Sequence, residues 1–200
     1  MDKKVLEQYL EQKLNITIFD ELDSTNNYLK KLGSQGEKEN QLVIALSQTG
    51  GRGRMGRSFY SPNGTGIYFS LLLHPEFSAE KSLFLTVMAA ISVAETVMKY
   101  NSNDVKIKWV NDIILNSKKV CGILTEGAIN PETNLFDYAI LGIGINLSTS
   151  DFPEELKEKA GALSTETIPR ERADGLALLF SEKLLGFLEL EDTSHVIDRY

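Results

Sequence analysis

Two apolar segments on either side of a loop rich in glycine and arginine constrain the fold of this chain most strongly. Residues 42–47 and 67–73 are almost continuously apolar, which predicts two strands buried on both faces of a sheet. Residues 50–57, between them, contain four glycines and three arginines. Glycine lets the backbone approach a ligand closely, and arginine binds phosphate or carboxylate through two parallel hydrogen bonds. A loop mounted on buried strands therefore favours an anion site over a solvated, mobile basic loop.

The glycine spacing of this loop does not identify a common nucleotide-binding motif. No Gly-Lys-Ser/Thr sequence closes the loop, so it is not a Walker A loop. Gly51, Gly53 and Gly56 match the dinucleotide spacing G-x-G-x-x-G, but arginines occupy the gaps. The arginine cluster predicts charge stabilisation on a phosphate rather than a simple nucleotide cradle.

The remaining segments predict an α+β fold. A tight turn is expected at Asn116-Ser117, and strands and helices follow one another without strict alternation. This order favours a mixed, largely antiparallel β-sheet over a doubly wound parallel one. The other predicted strands are 17–19, 105–109, 112–115, 120–125 and 138–147, and the predicted helices are 5–14, 27–32, 78–100, 154–160 and 167–190.

Length, charge and composition limit the class of protein. The 200 residues are enough for one domain, which we assign to residues 1–200. A net charge of −7 argues against nucleic acid as a partner. The single cysteine, Cys121, excludes an intrachain disulfide and is expected to be a small buried residue. A polar N-terminus without a signal peptide, and no apolar run of about 20 residues, predict a cytoplasmic protein without a membrane span.

Three further polar clusters each have a structural and a functional interpretation. Ser24-Thr25-Asn26 is typical of a helix cap, and the glycines of residues 142–146 indicate a bulge or a close backbone approach. Asn111-Asp112 fits a tight bend between strands. Lys119, near Gly122, is either an edge-strand charge or a fixed cation that projects into a pocket.

Together these segments resemble the biotin–protein ligases, the biotin–[acetyl-CoA-carboxylase] ligase family. The resemblance extends over roughly residues 16–190. It rests on the order and spacing of Ser-Thr-Asn after a strand, Gln48 before G-R-G-R-M-G-R, S-P-N-G before I-Y-F-S-L-L-L, K-W-V-N-D, K-K-V-C-G-I-L-T-E and G-I-G-I-N-L.

The resemblance implies a fold, a reaction and a set of site residues. The fold would be the catalytic domain of the biotin and lipoate ligases, which is class II synthetase-like, with helices mainly on one face of the sheet. The reaction would join biotin to a lysine of a biotin carboxyl carrier protein of acetyl-CoA carboxylase or a related carboxylase. It would proceed through biotinyl-5′-adenylate and use ATP and Mg²⁺.

The resemblance also implies roles for individual residues. Arg54 and Lys119 would be the main electrostatic catalysts. The biotin-binding residues implied are Ser24, Thr25, Asn26, Gln48, Gly51, Arg52, Gly53, Arg54, Lys119 and Gly122. Those implied for ATP are Arg52, Arg57, Phe59, Asn111, Asp112 and Asn146. Mg²⁺ would be held mainly by the phosphates, with Asp112 the nearest candidate protein ligand.

The sequence departs from the family pattern in three places. Val110 replaces the proline of K-W-P-N-D, a change that favours a looser bend at Asn111 and Asp112, although Asn-Asp can form a turn without the proline. No winged-helix region precedes the catalytic segments, so we expect no repressor function and no nucleic-acid partner. The chain ends at Tyr200, where family members continue into an SH3-like barrel, so we expect that barrel to be absent or truncated. A monomer or weak homodimer is expected.

Two alternative functions stay open at this point. One is a lipoate or octanoate ligase on the same scaffold, whose pocket would accept a longer, more apolar acyl chain. The other is a non-catalytic biotin-binding domain.

Overall fold

A mixed sheet organises the chain in a computed structural model that describes residues 14–75, 82–100 and 104–168, together with Phe180, Lys183, Leu185 and Gly186. Within these residues seven strands follow the order β1-β2-β3-β7-β6-β5-β4. Only β1 and β2 pair in parallel, and every other neighbouring pair is antiparallel. The predicted mixed, largely antiparallel sheet is confirmed. The strands are β1 Asn15–Leu22, β2 Gln41–Gln48, β3 Gly66–Leu73, β4 Val105–Lys108, β5 Asp112–Leu115, β6 Lys118–Ile129 and β7 Phe136–Asn146.

Helices cover the two faces of the sheet unequally. The long helix α2, Ser82–Tyr100, packs on the face that contains Phe69 and Leu141. Phe180 belongs to the same core, with its ring centroid 5.1 Å from that of Phe69. The shorter helix α1, Thr25–Ser34, covers the opposite face through a second cluster. Among the described residues the longer helix therefore covers one face and the shorter helix covers part of the other. The second cluster contains Leu29, Val43, Leu72, Tyr138 and Ile140.

The local rules read from the sequence explain most of these elements. Side chains of β3 from Ile67 to Leu73 are all buried, which confirms a central strand covered on both faces. Ser24 caps α1, since its Oγ accepts a hydrogen bond of 3.5 Å from the backbone N–H of Asn27. The predicted turn at Asn116 and Ser117 is confirmed by their positive φ angles of 50° and 65°.

The helix predicted at residues 154–160 is wrong, because these residues form successive turns. Their backbone groups bond to β6: the N–H of Lys119 donates to the carbonyl of Lys159, and the N–H of Gly161 donates to the carbonyl of Lys119. Pairing with a strand requires an extended backbone at Ala160, which overrides the local helical preference. The predicted helix at 5–14 lies outside the described residues apart from Leu14, as does most of the one at 167–190.

A search of the described residues finds no helix that is both long enough and apolar enough to cross a membrane.

Candidate functional site

The loop of glycines and arginines forms a small hairpin above the face of the sheet on which α1 packs. Arg52 and Ser58 form an antiparallel bridge, and the N–H of Phe59 donates to the carbonyl of Gly51 at 2.8 Å. Met55 lies at the tip with a positive φ of 56° and is 90% exposed. A Cβ at position 51 would lie 2.3 Å from the carbonyl oxygen of Phe59, so the base of the hairpin requires glycine there.

A small cavity lies under this hairpin, on a floor that contains three glycines. Gly122 of β6 pairs with Gly144 of β7, and Gly142 follows on the same face. The ring of Phe59 rests on this floor, because a Cβ on Gly144 would lie 2.4 Å from its Cε1 atom. With the ring in place the free volume is only about 40 Å³, which is room for a few water molecules. The glycines of β6 and β7 thus mark the close approach of the Phe59 ring. β7 continues through Gly142 and Gly144 without a break.

The wall of the small cavity is a hydrogen-bonded group of buried polar side chains. Thr25 donates its backbone N–H to Oε1 of Gln48 at 2.9 Å. The hydroxyl of Thr25 lies 2.7 Å from that of Ser70, which donates to Oδ1 of Asn26 at 2.6 Å. Asn26 approaches the sheet closely, and a Cβ on Gly142 would lie 2.0 Å from its Oδ1. The cap sequence therefore serves two purposes: it starts α1 and supplies the cavity with polar groups.

A lysine and an arginine border the cavity at the opposite end. Nζ of Lys119 lies 2.6 Å from Oδ1 of Asp112 and 5.9 Å from the ring centroid of Phe59. Lys119 is therefore a fixed cation at a pocket rather than a free edge-strand charge. Arg54 donates to Oδ1 of Asn111 at 3.3 Å, and Asn111 donates to the carbonyl of Ile123 at 2.9 Å.

The bend before Asn111 contacts β6 closely. Val110 is buried, and Asn111 forms hydrogen bonds with β6 through both its backbone and its side chain. The effect of Val110 in place of the family's proline stays a prediction.

A second, larger cavity of about 630 Å³ adjoins the first. Five residues border both cavities and form a shared wall: Gly53, Arg54, Phe59, Asn111 and Lys119. Cations outnumber the two acidic residues, Asp112 and Glu158, on the wall of the larger cavity, and an excess of positive charge on a concave surface concentrates anions. Its cationic residues are Arg54, Arg57, Lys108, Lys119 and Lys159.

Most of the residues implied by the resemblance meet in these two cavities. Asn146 and Gly51 are exceptions that line neither of them. The side-chain amide of Asn146 donates to the carbonyl of Gly161 at 2.9 Å, and Gly51 lies at the base of the hairpin. A nucleotide contact for Asn146 stays a prediction. The predicted residues that line the small cavity are Ser24, Thr25, Asn26, Gln48, Arg52, Gly53, Arg54, Phe59, Asn111, Lys119 and Gly122. Arg57 and Asp112 line the larger one.

Sequence reasoning missed several polar residues of the site. Lys108 stands in the K-W-V-N-D motif, and Lys159 lies in a segment that we predicted as a helix. Ser61 and Ser70 link the polar wall to the strands: Ser61 accepts from Nε2 of Gln48 at 3.0 Å. A signal existed for Ser70, because it is the lone polar residue in the apolar run of β3.

The described residues do not build a metal site of their own. No group of three or more His, Cys, Asp or Glu side chains in this part of the chain is placed to hold an ion. Asp112, the predicted nearest ligand, is already paired with Lys119. Delivery of a divalent ion with the phosphates of a nucleotide stays a prediction.

Comparison with known proteins agrees with this geometry. The family model described as the Biotin/lipoate A/B protein ligase family matches residues 18–146. The chain belongs to the biotin/lipoate A/B protein ligase family. The bifunctional ligase/repressor BirA of Bacillus subtilis is 41% identical over 147 residues, which cover 72% of this chain and 45% of that protein. The biotin–[acetyl-CoA-carboxylase] ligase of Paracoccus denitrificans is 34% identical over 129 residues, which cover 63% of this chain and 52% of that protein.

Solved structures of this family share the fold. The biotin protein ligase of Aquifex aeolicus, solved in complex with biotin and ATP, has a TM-score of 0.68 and 34% identity, covering 88% of this chain and 72% of that one. The ligase of Leishmania major with biotinyl-5-AMP has a TM-score of 0.73 at 24% identity, and this likeness concerns the fold alone. The chain spans about half the length of the curated relatives it matches.

Proposed function

We propose that this chain activates biotin with ATP as biotinyl-5′-adenylate and transfers the biotin to a lysine of a carrier protein. The observation that carries the proposal is the wall shared by the two cavities. A small polar cavity suits the ureido head and carboxylate of biotin, and a larger cationic cavity suits a triphosphate. Arg54 and Lys119 lie where the two cavities meet. The names of the relatives support the same assignment.

The first half-reaction brings two anions together. A carboxylate oxygen of biotin attacks the α-phosphorus of ATP, the bond from that phosphorus to the bridging oxygen breaks, and pyrophosphate leaves. Arg54 and Lys119 would neutralise the charge that develops at the shared wall. Both cations are held in advance, Arg54 by Asn111 and Lys119 by Asp112. Holding them in advance reduces the reorganisation needed in the transition state.

Biotin can enter only when Phe59 leaves the floor of the small cavity. The ring occupies the space above Gly122 and Gly144, and what remains beside it is too small for a bicyclic acid. The hairpin of residues 50–57 carries Phe59 and would swing outward with it. After binding, the same hairpin would close over the adenylate.

The second half-reaction consumes the adenylate. The neutral amine of an acceptor lysine attacks the carbonyl carbon of the mixed anhydride, an amide forms, and AMP leaves with the bonding electrons. Water competes with the amine for the same carbon, so closure of the hairpin would protect the intermediate.

The name of the Paracoccus denitrificans relative supports a carrier domain of acetyl-CoA carboxylase as the acceptor. A cytoplasmic location and a monomer or weak homodimer stay predictions.

The deciding experiment incubates the protein with biotin and Mg-ATP and measures pyrophosphate release and adenylate mass, followed by a streptavidin blot of an added carrier domain. We expect pyrophosphate release that depends on biotin, and labelling of the carrier. Turnover with lipoate or octanoate instead of biotin would favour the alternative acyl ligase. Biotin binding without pyrophosphate release would make the chain a non-catalytic biotin-binding domain.

A further inference from the structure

Glu126 of β6 connects the loop to the polar wall without lining either cavity of the site. Its Oε1 atom lies 2.9 Å from Nη2 of Arg52, and its Oε2 atom accepts a hydrogen bond of 2.9 Å from Nδ2 of Asn26. The Glu126 side chain is 18% exposed and that of Arg52 is 37% exposed, so the carboxylate is the more buried partner and the arginine stays accessible to water. Arg52 also donates to Oδ1 of Asn27 at 2.9 Å. One carboxylate thus holds both a loop arginine and a cavity asparagine.

The charge of Glu126 sets the orientation of the Asn26 amide. An ionised carboxylate can only accept hydrogen bonds, so the amide nitrogen of Asn26 must face it. The amide oxygen is then turned towards Ser70, whose hydroxyl donates to it at 2.6 Å. With its one proton used there, Ser70 can only accept from the hydroxyl of Thr25, 2.7 Å away. In this arrangement Thr25 gives its one hydroxyl proton to Ser70, and Oε1 of Gln48 keeps the backbone N–H of Thr25 as its donor.

A reversed hydrogen-bond chain could form if the charge were absent. The Asn26 amide could turn over and donate to Ser70, Ser70 could donate to Thr25, and Thr25 could donate to Oε1 of Gln48, which lies 3.1 Å from its hydroxyl. The two arrangements offer a ligand opposite patterns of donors and acceptors. A carboxylate at position 126 selects one of them.

We propose that Glu126 is a positioning residue for the biotin pocket, which holds Arg52 and, through the buried Ser70, fixes the donor and acceptor pattern presented by Asn26 and Thr25. The inference rests on the proposed biotin-binding function of the small cavity. It assigns to Glu126 a specificity role that its position outside both cavities does not suggest. Through Asn26 and Ser70 the effect of its charge reaches the centre of the pocket wall.

The test replaces Glu126 with glutamine, which keeps the shape and removes the charge. Biotin binding is measured by calorimetry without ATP, and steady-state adenylation is measured with it. We expect the Kd and the KM for biotin to rise about tenfold or more, since hydrogen bonds to charged groups are the stronger ones. We expect kcat to stay within about threefold, because Arg54 and Lys119 are untouched. Glu126→Asp, which restores the charge, should recover part of the affinity. Glu132→Gln makes the same chemical change in the exposed turn after β6 and should leave the Kd unchanged.

A second readout addresses the donor and acceptor pattern itself. The ratio of the Kd values for 2-iminobiotin and biotin measures how strongly the pocket recognises the ureido oxygen. We expect this ratio to fall in Glu126→Gln, because the reversed chain removes the discrimination. A loss of packing alone would weaken both ligands equally and leave the ratio unchanged, and that result would overturn the proposal.

A double-mutant cycle with Arg52→Gln keeps the inference testable if Glu126→Gln folds poorly. Changing Arg52 breaks the ion pair from the loop side, and its effect on biotin Kd should be less than additive with that of Glu126→Asp. Additive effects would overturn the proposal. If the unaltered protein does not bind biotin, the proposed function fails; if it does bind, and Glu126→Gln binds equally well, only this inference fails.

Discussion

Lys119 forms an ion pair with Asp112, with 2.6 Å between Nζ and Oδ1, at the wall that separates the two cavities. Each residue comes from a different strand, β6 and β5, which pair with each other beside the bend at Asn111. The pair fixes the lysine in the place where a carboxylate and a phosphate would meet. It also places the negative charge of Asp112 beside an anion site. Without Lys119 to neutralise it, this charge would repel an incoming anion.

Replacing Lys119 with methionine should lower adenylate formation by about 100-fold or more, by analogy with the loss of one preorganised charge donor. The variant also leaves the carboxylate of Asp112 unpaired beside the incoming phosphates. The double variant with Asp112→Asn should therefore be faster than Lys119→Met alone. Biotin-dependent pyrophosphate release measures both rates. Lys106→Met, which removes a charge at an exposed position paired with Asp104, serves as the control and should be neutral. A double variant no faster than Lys119→Met would contradict the electrostatic argument.

Replacing Arg54 with alanine should likewise lower adenylate formation by about 100-fold or more. Arg54 borders both cavities and is oriented by Asn111, so its loss removes one of the two cations at the shared wall. Arg54→Lys should recover only part of the rate, because an ammonium cannot reproduce the fork of a guanidinium. Single-turnover measurements with saturating biotin and ATP separate this effect from binding. An unchanged rate in Arg54→Ala would remove Arg54 from the proposed mechanism.

Local sequence patterns predicted the part of the site that depends on local structure. The buried strands before and after the loop, the cap at Ser24 and the turn at Asn116 all follow from runs of a few residues. The glycines of residues 142–146 were expected to mark a bulge or a close approach, and Gly144 does so. Its partner in that approach, the ring of Phe59, was instead expected to bind ATP.

Long-range pairings explain what the sequence could not reveal. Asn26 and Glu126 are 100 positions apart, and no local pattern indicates that they share a hydrogen bond. The turns of residues 154–160 form because Lys119 pairs with that segment, a contact that competes successfully with a helical periodicity. The sequence therefore predicted the composition of the site better than the contacts within it.

Replacing Gly144 with alanine should destabilise the protein through Phe59. The new Cβ would lie 2.4 Å from the ring, and relieving such a clash costs about 1–3 kcal/mol of the free energy of unfolding. In a Phe59→Ala background the same change should cost less, because the clashing atoms are gone. Urea unfolding of the four proteins gives the coupling energy. Equal costs in both backgrounds would place the ring away from Gly144 in solution.

Removing the ring should also open the small cavity. Phe59→Ala clears the floor above Gly122 and Gly144, so we expect biotin to associate faster with this variant than with the unaltered protein. The adenylate should then be hydrolysed faster, since without the ring the closed hairpin excludes water less completely. Stopped-flow binding and the decay of isolated adenylate measure the two effects. Association at an unchanged rate would show that the ring does not limit entry.

The stability of the protein should fall at alkaline pH because two buried acids resist ionisation. Burial raises the pKa of the Tyr68 phenol and of the Cys121 thiol well above their ordinary values. Above pH of about 10 the unfolded chain loses the tyrosine proton, while the folded protein keeps it. Unfolding then releases a proton, so Tyr68 makes the free energy of unfolding fall by up to about 1.4 kcal/mol per pH unit. Cys121 acts in the same direction from about pH 8.5.

At pH 7, Tyr68→Phe should be about 1 kcal/mol less stable than the unaltered protein, because the carbonyl of Pro62 loses its donor. That deficit should shrink between pH 9 and 11, since the variant has no phenol to ionise on unfolding. Urea unfolding of both proteins across this range measures the difference, from which the Cys121 contribution cancels. A deficit that is constant with pH would mean that Tyr68 is not held neutral in the folded protein.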